Sequence, residues 1–598
     1  MSDTSETIGE FVERFPWPER LLAAGTPMEW LWHFEVAATP AQVWSYLVET
    51  SRLNRALGMS RMEFDEVDGV LHGRCKHGGV KHDWVEEPWE WVRGRYLCYV
   101  RNYSRGIGHF LRVVYSLEPS ATGTKASVYL GWIPRSAFGK LWIKLGMKQY
   151  EVGYTGLFEE IGKSVASGAD LDSYTQTAEA LADSASQRVE KLQKQLIAQK
   201  MPEKALAKLV EHIRAGDQME LYRIQIRRKA HEWGCDESDL LRVCLHATRV
   251  GLLDMSWDVI CPHCRGVREE LINLGEVADR GDCDACEIDF TTDAGEAIEI
   301  TFHVHPSIRE VAKVYYCSAE ASSKDHIQLQ QTLGAGEKRA VESRMAPGRY
   351  RLRTHGEKDY EFLDVAAQDE VVRLENSSSE ERRLIVEDVE WKDEALRPTH
   401  LFNFQEFRDL FGEEYVGTDI RLNVGEQTIM FTDMVGSTKF YAEHGDPEAF
   451  MTVKEHFVKV YDIVKRNHGA VVKTIGDAAM ASFSDPVDAV RTCVEIHDYF
   501  QNTTESPVRL RASLNTGPCI AVKLNSNIDY FGGTVNVAAK LQAVAEAGEI
   551  SMPLATYDAP GVAEYLAERG GVIEELTFEP KALPSKIAVR RWSADGRE

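Results

Sequence analysis

The stretch TIMFTDMVGSTKF, Thr428 to Phe440, runs an apolar strand into a lone carboxylate and a turn of small residues. Thr428 to Phe431 read as a buried strand with Asp433 at its end, and Gly436, Ser437 and Thr438 let backbone N–H groups face an anion where a helix begins. An Asp that merely caps a helix would look the same, so the stretch alone leaves both readings open. Further on, VVKTIGDAAMASF gives two short apolar strands about a turn at Ile475 and Gly476, with Lys473 before the turn and Asp477 after it. Two Asp residues on adjacent strands suit a pair of Mg2+ ions, hard cations that prefer oxygen ligands. IDYFGGTVNVAAKL then sets Asp529, a Gly-Gly turn, and a helix whose Asn536 and Lys540 share a face.

In this order, FTDMVGST, KTIGDAAMASF, LNTGP (Leu514 to Pro518) and DYFGGTVNVAAK resemble the catalytic domain of class III adenylyl cyclases, over residues 421–598. The resemblance implies that Asp433 and Asp477 bind two Mg2+ (or Mn2+) ions per active site, that Lys473 and Asp529 read adenine, and that Asn536 orients the ribose. It also implies substrate contacts from the loop residues Phe431, Thr432, Val435, Gly436, Ser437 and Thr438. The family's transition-state Arg is replaced here by Lys540, which keeps the charge but loses the planar bidentate fork. In that family the site lies between two catalytic domains. This chain has both residue sets and no internal repeat, so the expectation is a homodimer that converts ATP to 3',5'-cyclic AMP and pyrophosphate. Asp529 accepting from the adenine amine and Lys473 donating to a ring nitrogen would favour ATP over GTP. The alternative is a catalytically degenerate cyclase serving as a ligand-responsive scaffold, and Lys540 is its support. A diguanylate cyclase fails because no GG(D/E)EF stretch occurs. The order strand, helix, two strands, helix, strand predicts a ferredoxin-like arrangement with extra C-terminal elements.

At 598 residues the chain is too long for one core, and the fold class expected is multidomain α+β. A net charge of -25 argues against a nucleic-acid partner and against an anionic membrane surface. No apolar run approaches the length of a spanning helix and no leader is apparent, so a cytoplasmic location is expected. The 11 cysteines, four of them in two close pairs, suit a reducing compartment.

Residues 1–27 read as a tail with a short amphipathic segment around Ile8 to Phe15. From 28 to 167, a strand, a Pro-started helix, several antiparallel strands (Gly69 to Cys75, Lys81 to Glu86, Trp89 to Arg101, His109 to Glu118, Lys125 to Trp132) and a long helix resemble the START-like helix-grip layout. Nine of the 13 tryptophans lie before residue 143, which reads either as an apolar small-molecule pocket or as plain core filling. Residues 168–255 predict a helical connector whose Leu181, Ala185, Val189, Leu192 and Leu196 form one face, open to pairing with a symmetry mate. Cys261-Pro-His-Cys264 and Cys283-Asp-Ala-Cys286 predict a structural Zn2+ ribbon over 256–295, with Gly266 permitting the first knuckle and His263, His303 and His305 unneeded as ligands. IEITFHV, KVYYCSA, GRYRLRT and YEFLDVA predict a β-sandwich over 296–375. The ribbon and sandwich together look like the region that precedes the catalytic domain in some bacterial cyclases. Residues 376–420 read as a polar hinge and a helix with Phe404, Phe407, Leu410 and Phe411 on one stripe, either a transducer or a packing face.

Overall fold

The structure is a computed structural model, and it describes residues 6–60, 62–67, 70–168, 171, 174, 180–216, 220–284, 286–292, 295–311, 321, 324–357, 359–389, 395–411, 421–437, 440, 446–502, 508–524, 527–579 and 586–594. Two short helices, α1 (Ile8–Arg14) and α2 (Glu19–Leu22), precede strand β1 (Met28–Val36), helices α3 (Pro40–Leu47) and α4 (Thr50–Ala56), and strands β2 (Glu63–Val67), β3 (Val70–His77), β4 (Val80–Glu86), β5 (Glu90–Val92), β6 (Tyr96–Arg105), β7 (Gly108–Ser120) and β8 (Gly123–Pro134). All pair antiparallel in the path β1-β8-β7-β6, with β4, β3 and β2 continuing from β6. The 31-residue helix α5 (Ala137–Ser167) buries Ile143, Met147, Tyr154, Leu157, Phe158 and Ile161 in the core beneath the sheet. The stretch expected as one strand from Trp89 to Arg101 breaks into β5 and β6 at a turn whose Gly94 holds φ +69°.

The N-terminal stretch is not a tail. A Thr7–Glu10 capping box starts α1, and Phe11, 0% exposed, packs against Cys98, Val114 and Tyr129 on the outer side of the sheet. Trp17 and Leu21 join Val100 and Ile133 in a second patch, and the Trp17 indole donates to the Tyr129 hydroxyl at 2.7 Å. The outer face carries two apolar patches of its own, and α1 and α2 cover them.

Helices α6 (Asp183–Ala198), α7 (Glu203–Ala215), α8 (Ile226–Trp233) and α9 (Glu237–Arg249) form the connector. Val189, Leu192 and Leu196 of α6 are buried in the same core as Leu206, Leu209 and Ile213 of α7 and Leu240 and Leu241 of α9. The face expected to be open to a symmetry mate is therefore filled within the chain. Strands β9 (Leu253–Ile260) and β10 (Val267–Leu271) follow, then the ribbon hairpin β11 (Arg280–Cys283) and β12 (Ile288–Thr291), and β13 (Ile298–Val304).

The expected sandwich is redrawn by its pairings. IEITFHV, as β13, pairs with β9 in a three-stranded sheet, and KVYYCSA lies outside the described residues. Strands β14 (Ile327–Leu333), β15 (Lys338–Glu342), β16 (Gly348–Thr354), β17 (Tyr360–Val365), β18 (Val371–Glu375) and β19 (Arg382–Asp388) make two layers, β14-β19-β16-β17 facing the two-stranded sheet β15-β18 around Leu329, Leu333, Val341, Leu374 and Val386. The polar run after Asn376 is a turn inside this unit rather than a hinge: the buried Asn376 amide donates to the carbonyls of Leu333, Gly334 and Glu380 at 2.8 to 3.0 Å. Strand β14 also pairs with β5, Leu329 opposite Val92 and Gln330 opposite Trp91, so the N-terminal sheet runs on into the sandwich as one 12-stranded sheet.

Helices α10 (Pro398–Phe402) and α11 (Gln405–Phe411) lead to the C-terminal unit: β20 (Arg421–Met434), α12 (Asp446–Arg466), β21 (Ala470–Ile475), β22 (Ala478–Phe483), α13 (Pro486–Asn502), β23 (Leu510–Leu524), β24 (Asn527–Phe531), α14 (Gly533–Leu541), β25 (Glu549–Pro553), α15 (Leu554–Tyr557), α16 (Val562–Arg569), β26 (Val572–Phe578) and β27 (Ile587–Ser593). Its sheet order is β21-β22-β20-β23-β25-β27-β26, with β24 hairpinned onto β23. The two strands expected from Val508 to Leu524 are one long β23, which follows β20 along most of its length. Helices α12 and α13 cover one face around Met430, Ala479, Val460, Ile463, Val490 and Val494. The other face packs Phe431 and Met480 into the core shared with the connector and with Phe402, Phe407 and Phe411.

Candidate active site and cysteine cluster

Two polar clusters stand on the C-terminal unit. In the first, a bulge between Val471 and Lys473 turns Lys473 of β21 toward β24, where its ammonium nitrogen lies 2.5 Å from Oδ2 of Asp529. Asp529 is 8% exposed, and its Oδ1 accepts the amide of Tyr530 at 2.8 Å. Lys473 is thus paired to Asp529 and not to Asp477, four residues away on its own hairpin. Helix α11 grips both strands from below. The Gln405 side-chain oxygen accepts the Val471 amide at 2.8 Å, and the Arg408 guanidinium donates to the Ile528 carbonyl and stands 5.9 Å from the Tyr530 ring centre. Asn403 ties the same region together, donating to Gln427 at 2.7 Å and to Ser484 at 2.8 Å while accepting from Ser482 at 2.6 Å.

In the second cluster, Asp433 is the last residue but one of β20, one residue beyond the Thr432–Ala479 pair, and Asp477 lies in the β21–β22 turn, where Gly476 takes φ +64°. The Arg511 guanidinium, opposite Asp433 on β23, donates through Nε at 2.8 Å and Nη2 at 2.5 Å to Oδ2 of Asp433. Oδ2 of Asp477 is buried and has no hydrogen-bond partner among the described residues. The buried His456 ring of α12 is pushed down to about 4 by loss of hydration, only partly offset by the Asp477 charge, so it is neutral at pH 7 and cannot neutralise that carboxylate. An orphaned buried carboxylate oxygen, in the turn that leads into the strand paired with the Asp433 strand, fits a hard divalent cation.

The loop between these groups departs from expectation. The Val435 amide is consumed by the Arg509 carbonyl at 2.8 Å, so it does not face an anion. Gly436, with φ +78°, accepts the Phe440 amide on its carbonyl at 3.0 Å, Ser437 beside it is half-buried, and Thr438 lies outside the described residues. Phe431 and Thr432 are buried on a central strand whose backbone pairs on both sides, with β22 and with β23, so they support the site rather than line it. On α14, seated by Ser513 on the Ala538 carbonyl at 2.8 Å and Asn515 on the Thr534 carbonyl at 2.9 Å, Asn536 is exposed and Lys540 half-buried. Neither side chain is bonded to Lys473, Asp529, Asp433 or Asp477 of the same chain. Arg511, Arg408 and Gln405 are the residues that sequence reading missed. For Arg511 a signal exists, a cation alternating with Leu510 and Ala512 on a strand that must lie beside the Asp433 strand.

The cysteine cluster is separate. Sγ of Cys261, Cys264, Cys283 and Cys286 all lie within 4.8 Å of one another, all are buried, and Cys264 and Cys283 are 3.8 Å apart. Four thiolates about 2.3 Å from one tetrahedral Zn2+ stand about 3.8 Å from each other, so the set fits that ion. The left-handed residues after each pair are Arg265 (φ +61°) and Glu287 (φ +55°), and Gly266 does not take that role. The Arg265 amide donates to the Cys261 carbonyl at 2.9 Å, which closes the first knuckle. Hydrogen bonding among the four thiols holds Cys264 and Cys283 below the ordinary thiol range and pushes Cys261 and Cys286 above it. His303 bonds Ser256 at 2.7 Å and His305 bonds Ser307 at 2.7 Å, so both are engaged elsewhere.

Residues 422–574 match the family described as adenylate and guanylate cyclase catalytic domain. The C-terminal unit is a class III nucleotide cyclase catalytic domain. Residues 187–326 match a family of unknown function (DUF5939). Curated relatives include the receptor-type adenylate cyclase GRESAG 4.1 of Trypanosoma brucei brucei, 26% identical over 174 residues, and the protein Rv2212 of Mycobacterium tuberculosis, 40% identical over 91 residues. The matches cover 22% and 15% of this chain, and 14% and 23% of those relatives. Solved structures that align include the adenylyl cyclase CyaB from P. aeruginosa (20% identity, 30% of this chain and 97% of that one, TM-score 0.26) and the guanylyl cyclase Cya2 (21% identity, 29% and 94%, TM-score 0.26). No helix among the described residues is long and apolar enough to cross a membrane.

Proposed function

We propose that the chain is an adenylate cyclase that forms 3',5'-cyclic AMP and pyrophosphate from ATP at the interface of a homodimer. The observation that carries the choice of base is the Lys473–Asp529 pair, a half-exposed donor held beside a nearly buried acceptor. Adenine offers Asp529 an amine proton and Lys473 a ring nitrogen. Guanine would set a carbonyl against the carboxylate and leave two acceptors facing each other. Asp433 and Asp477 hold the metal, and Arg511 would exchange its bond to Asp433 for a phosphate oxygen as the nucleotide enters. Bound Mg2+ or Mn2+ supplies the charge that acidifies the ribose 3'-hydroxyl and steadies the departing pyrophosphate. As the 3' oxygen bonds to the α-phosphorus, the bond from that phosphorus to the bridging oxygen breaks. Lys540 neutralises charge on the phosphoryl oxygens, and Asn536 holds the ribose. One subunit contributes the two aspartates and the other the base-reading pair and α14. The upstream units act on catalysis through α11, whose Gln405 and Arg408 hold the two strands that carry the pair. The test is cyclisation of ATP and of GTP by the purified full chain with Mn2+ or Mg2+. A strong preference for ATP is expected, and equal rates would refute the base assignment.

A further inference from the structure

Helix α5 carries a second apolar face, on the side turned away from the sheet. Gly139, Ile143 and Met147 are buried against the core, whereas Phe138, Leu141, Leu145 and Val152, on one helical stripe, stand 59, 58, 66 and 73% exposed. Trp142 stacks on Phe138 with the ring centres 5.7 Å apart. Lys140, Lys144 and Lys148 form an exposed row along one flank of the stripe. No Asp or Glu occurs between Glu118 and Glu151, in a chain whose net charge is -25.

The turns that abut this half of the helix add to the charge. A Cβ on Gly78, at the tip of the β3–β4 hairpin, would stand 2.8 Å from the Trp142 ring, and one on Gly139 would strike the Ile107 carbonyl oxygen, so the hairpin and the β6–β7 turn both lie against the helix. The hairpin sets Lys76 directly opposite Lys81, both exposed. Like charges so placed cost stability unless an anion lies over them. Of the acids on neighbouring strands, Glu63 and Asp65 are held by Arg74 at 2.8 and 2.9 Å, and Asp83 lies opposite Arg105. Lys76, Lys81, Lys140, Lys144 and Lys148 form no ion pair among the described residues.

A face with both properties calls for a partner that is negative and that takes apolar side chains from a convex surface. A second copy does not answer, since a twofold contact would set the same cations against themselves. An anionic bilayer does, because lysine ammonium groups reach the headgroup phosphates while the apolar side chains beside them sink toward the acyl chains. We propose that this end of the molecule docks on an anionic lipid bilayer, with Phe138, Leu141 and Leu145 entering the headgroup layer and Lys76, Lys81, Lys140, Lys144 and Lys148 lying over it. The overall negative charge, which as a sum argues against such a surface, then sets the orientation, because the rest of the chain is held off.

The test is co-sedimentation of the full chain with vesicles of phosphatidylcholine alone and of phosphatidylcholine with an equal part of phosphatidylserine. Binding is expected only to the mixed vesicles and should weaken as salt rises. Each lysine at such a surface is worth about fivefold in affinity, so Lys140→Gln/Lys144→Gln/Lys148→Gln should weaken binding about 100-fold. Leu141→Ser/Leu145→Ser should weaken it about tenfold while keeping the salt dependence. Both variants leave the buried face of α5 intact, so their circular dichroism should stay native. Absence of binding to mixed vesicles in low salt, equal binding to both kinds, or undiminished binding by either folded variant would overturn the proposal. So would a lower mass of Leu141→Ser/Leu145→Ser in sedimentation velocity, which would assign the stripe to a second copy, or tighter binding of soluble polyglutamate than of vesicles, which would assign it to an acidic protein.

Discussion

Replacing Arg511 by methionine should tighten divalent-metal binding to the nucleotide-free protein, even though it removes a cation from the catalytic face. In the structure both donors of the guanidinium fall on Oδ2 of Asp433, at 2.8 and 2.5 Å, so an ion must displace Arg511 or share that oxygen. The two side chains are 30% and 20% exposed, so solvent screens the pair and its strength is about 1–2 kcal/mol rather than the full value of two charge-assisted bonds. Methionine returns that energy to the metal and removes the repulsion between guanidinium and ion. The Mn2+ dissociation constant should fall by about 5- to 30-fold. The assay is titration of the apo protein with Mn2+, following free ion by electron paramagnetic resonance. Adding Asp433→Asn to the same chain should erase the gain. Turnover should drop, because the phosphate loses a cation. An unchanged or weakened Mn2+ affinity in Arg511→Met would refute the claim that the arginine and the metal compete for one carboxylate.

Other outcomes follow from the same structure. Asp433→Asn and Lys473→Ala chains, each nearly inactive, should recover about a quarter of wild-type activity after equal mixing and subunit exchange. Half the dimers are then mixed, and each holds one intact site of two, whereas no recovery would place both clusters in a single-chain site. The purified chain should carry one Zn2+ by elemental analysis, and Cys264→Ser should lose it together with folding of the ribbon. Phe11→Ala should cost about 3–5 kcal/mol in denaturant unfolding, where a true tail would cost nothing. Burial holds His497 at about 4, with its Nε2 3.1 Å from the Glu549 carbonyl, while the unfolded chain protonates near the ordinary 6.5. Its contribution is therefore complete above about pH 6.5 and lost progressively toward pH 4. The melting temperature should fall across that window, with a shallower slope in His497→Gln.

The cyclase unit was legible because its chemistry sits on polar residues at strand ends and turns, where Asp433, Lys473, Asp477 and Asp529 break an apolar pattern that strands would otherwise continue. The cysteine pairs were legible by spacing alone, although the knuckle backbone was not, since Arg265 and Glu287 take a conformation for which glycine is the usual guess. Partners distant in the chain were not legible. Nothing in IQLQQTL says that it will pair with residues 90–92, because alternation fixes which face is buried and not which strand lies alongside. The polar side chains of that strand have a local reason that emerges only from the fold: the amide groups of Gln330 and Gln331 donate to the carbonyls of Trp89 and Trp91 at 2.7 and 3.2 Å. Phe11 and Trp17 were missed for a related reason, since an amphipathic heptapeptide shows that it has an apolar side and not what it will lie on.

The junction of β5 with β14 sets where the molecule can be cut. A fragment beginning after α5 would strip β14 of its neighbour and leave a bare row of backbone donors and acceptors, an invitation to stick to other copies. A cut beyond β19, near residue 390, spares the long sheet but uncovers the face on which Phe431 and Met480 meet the connector, so the enzyme half is bound to its neighbours on that side too.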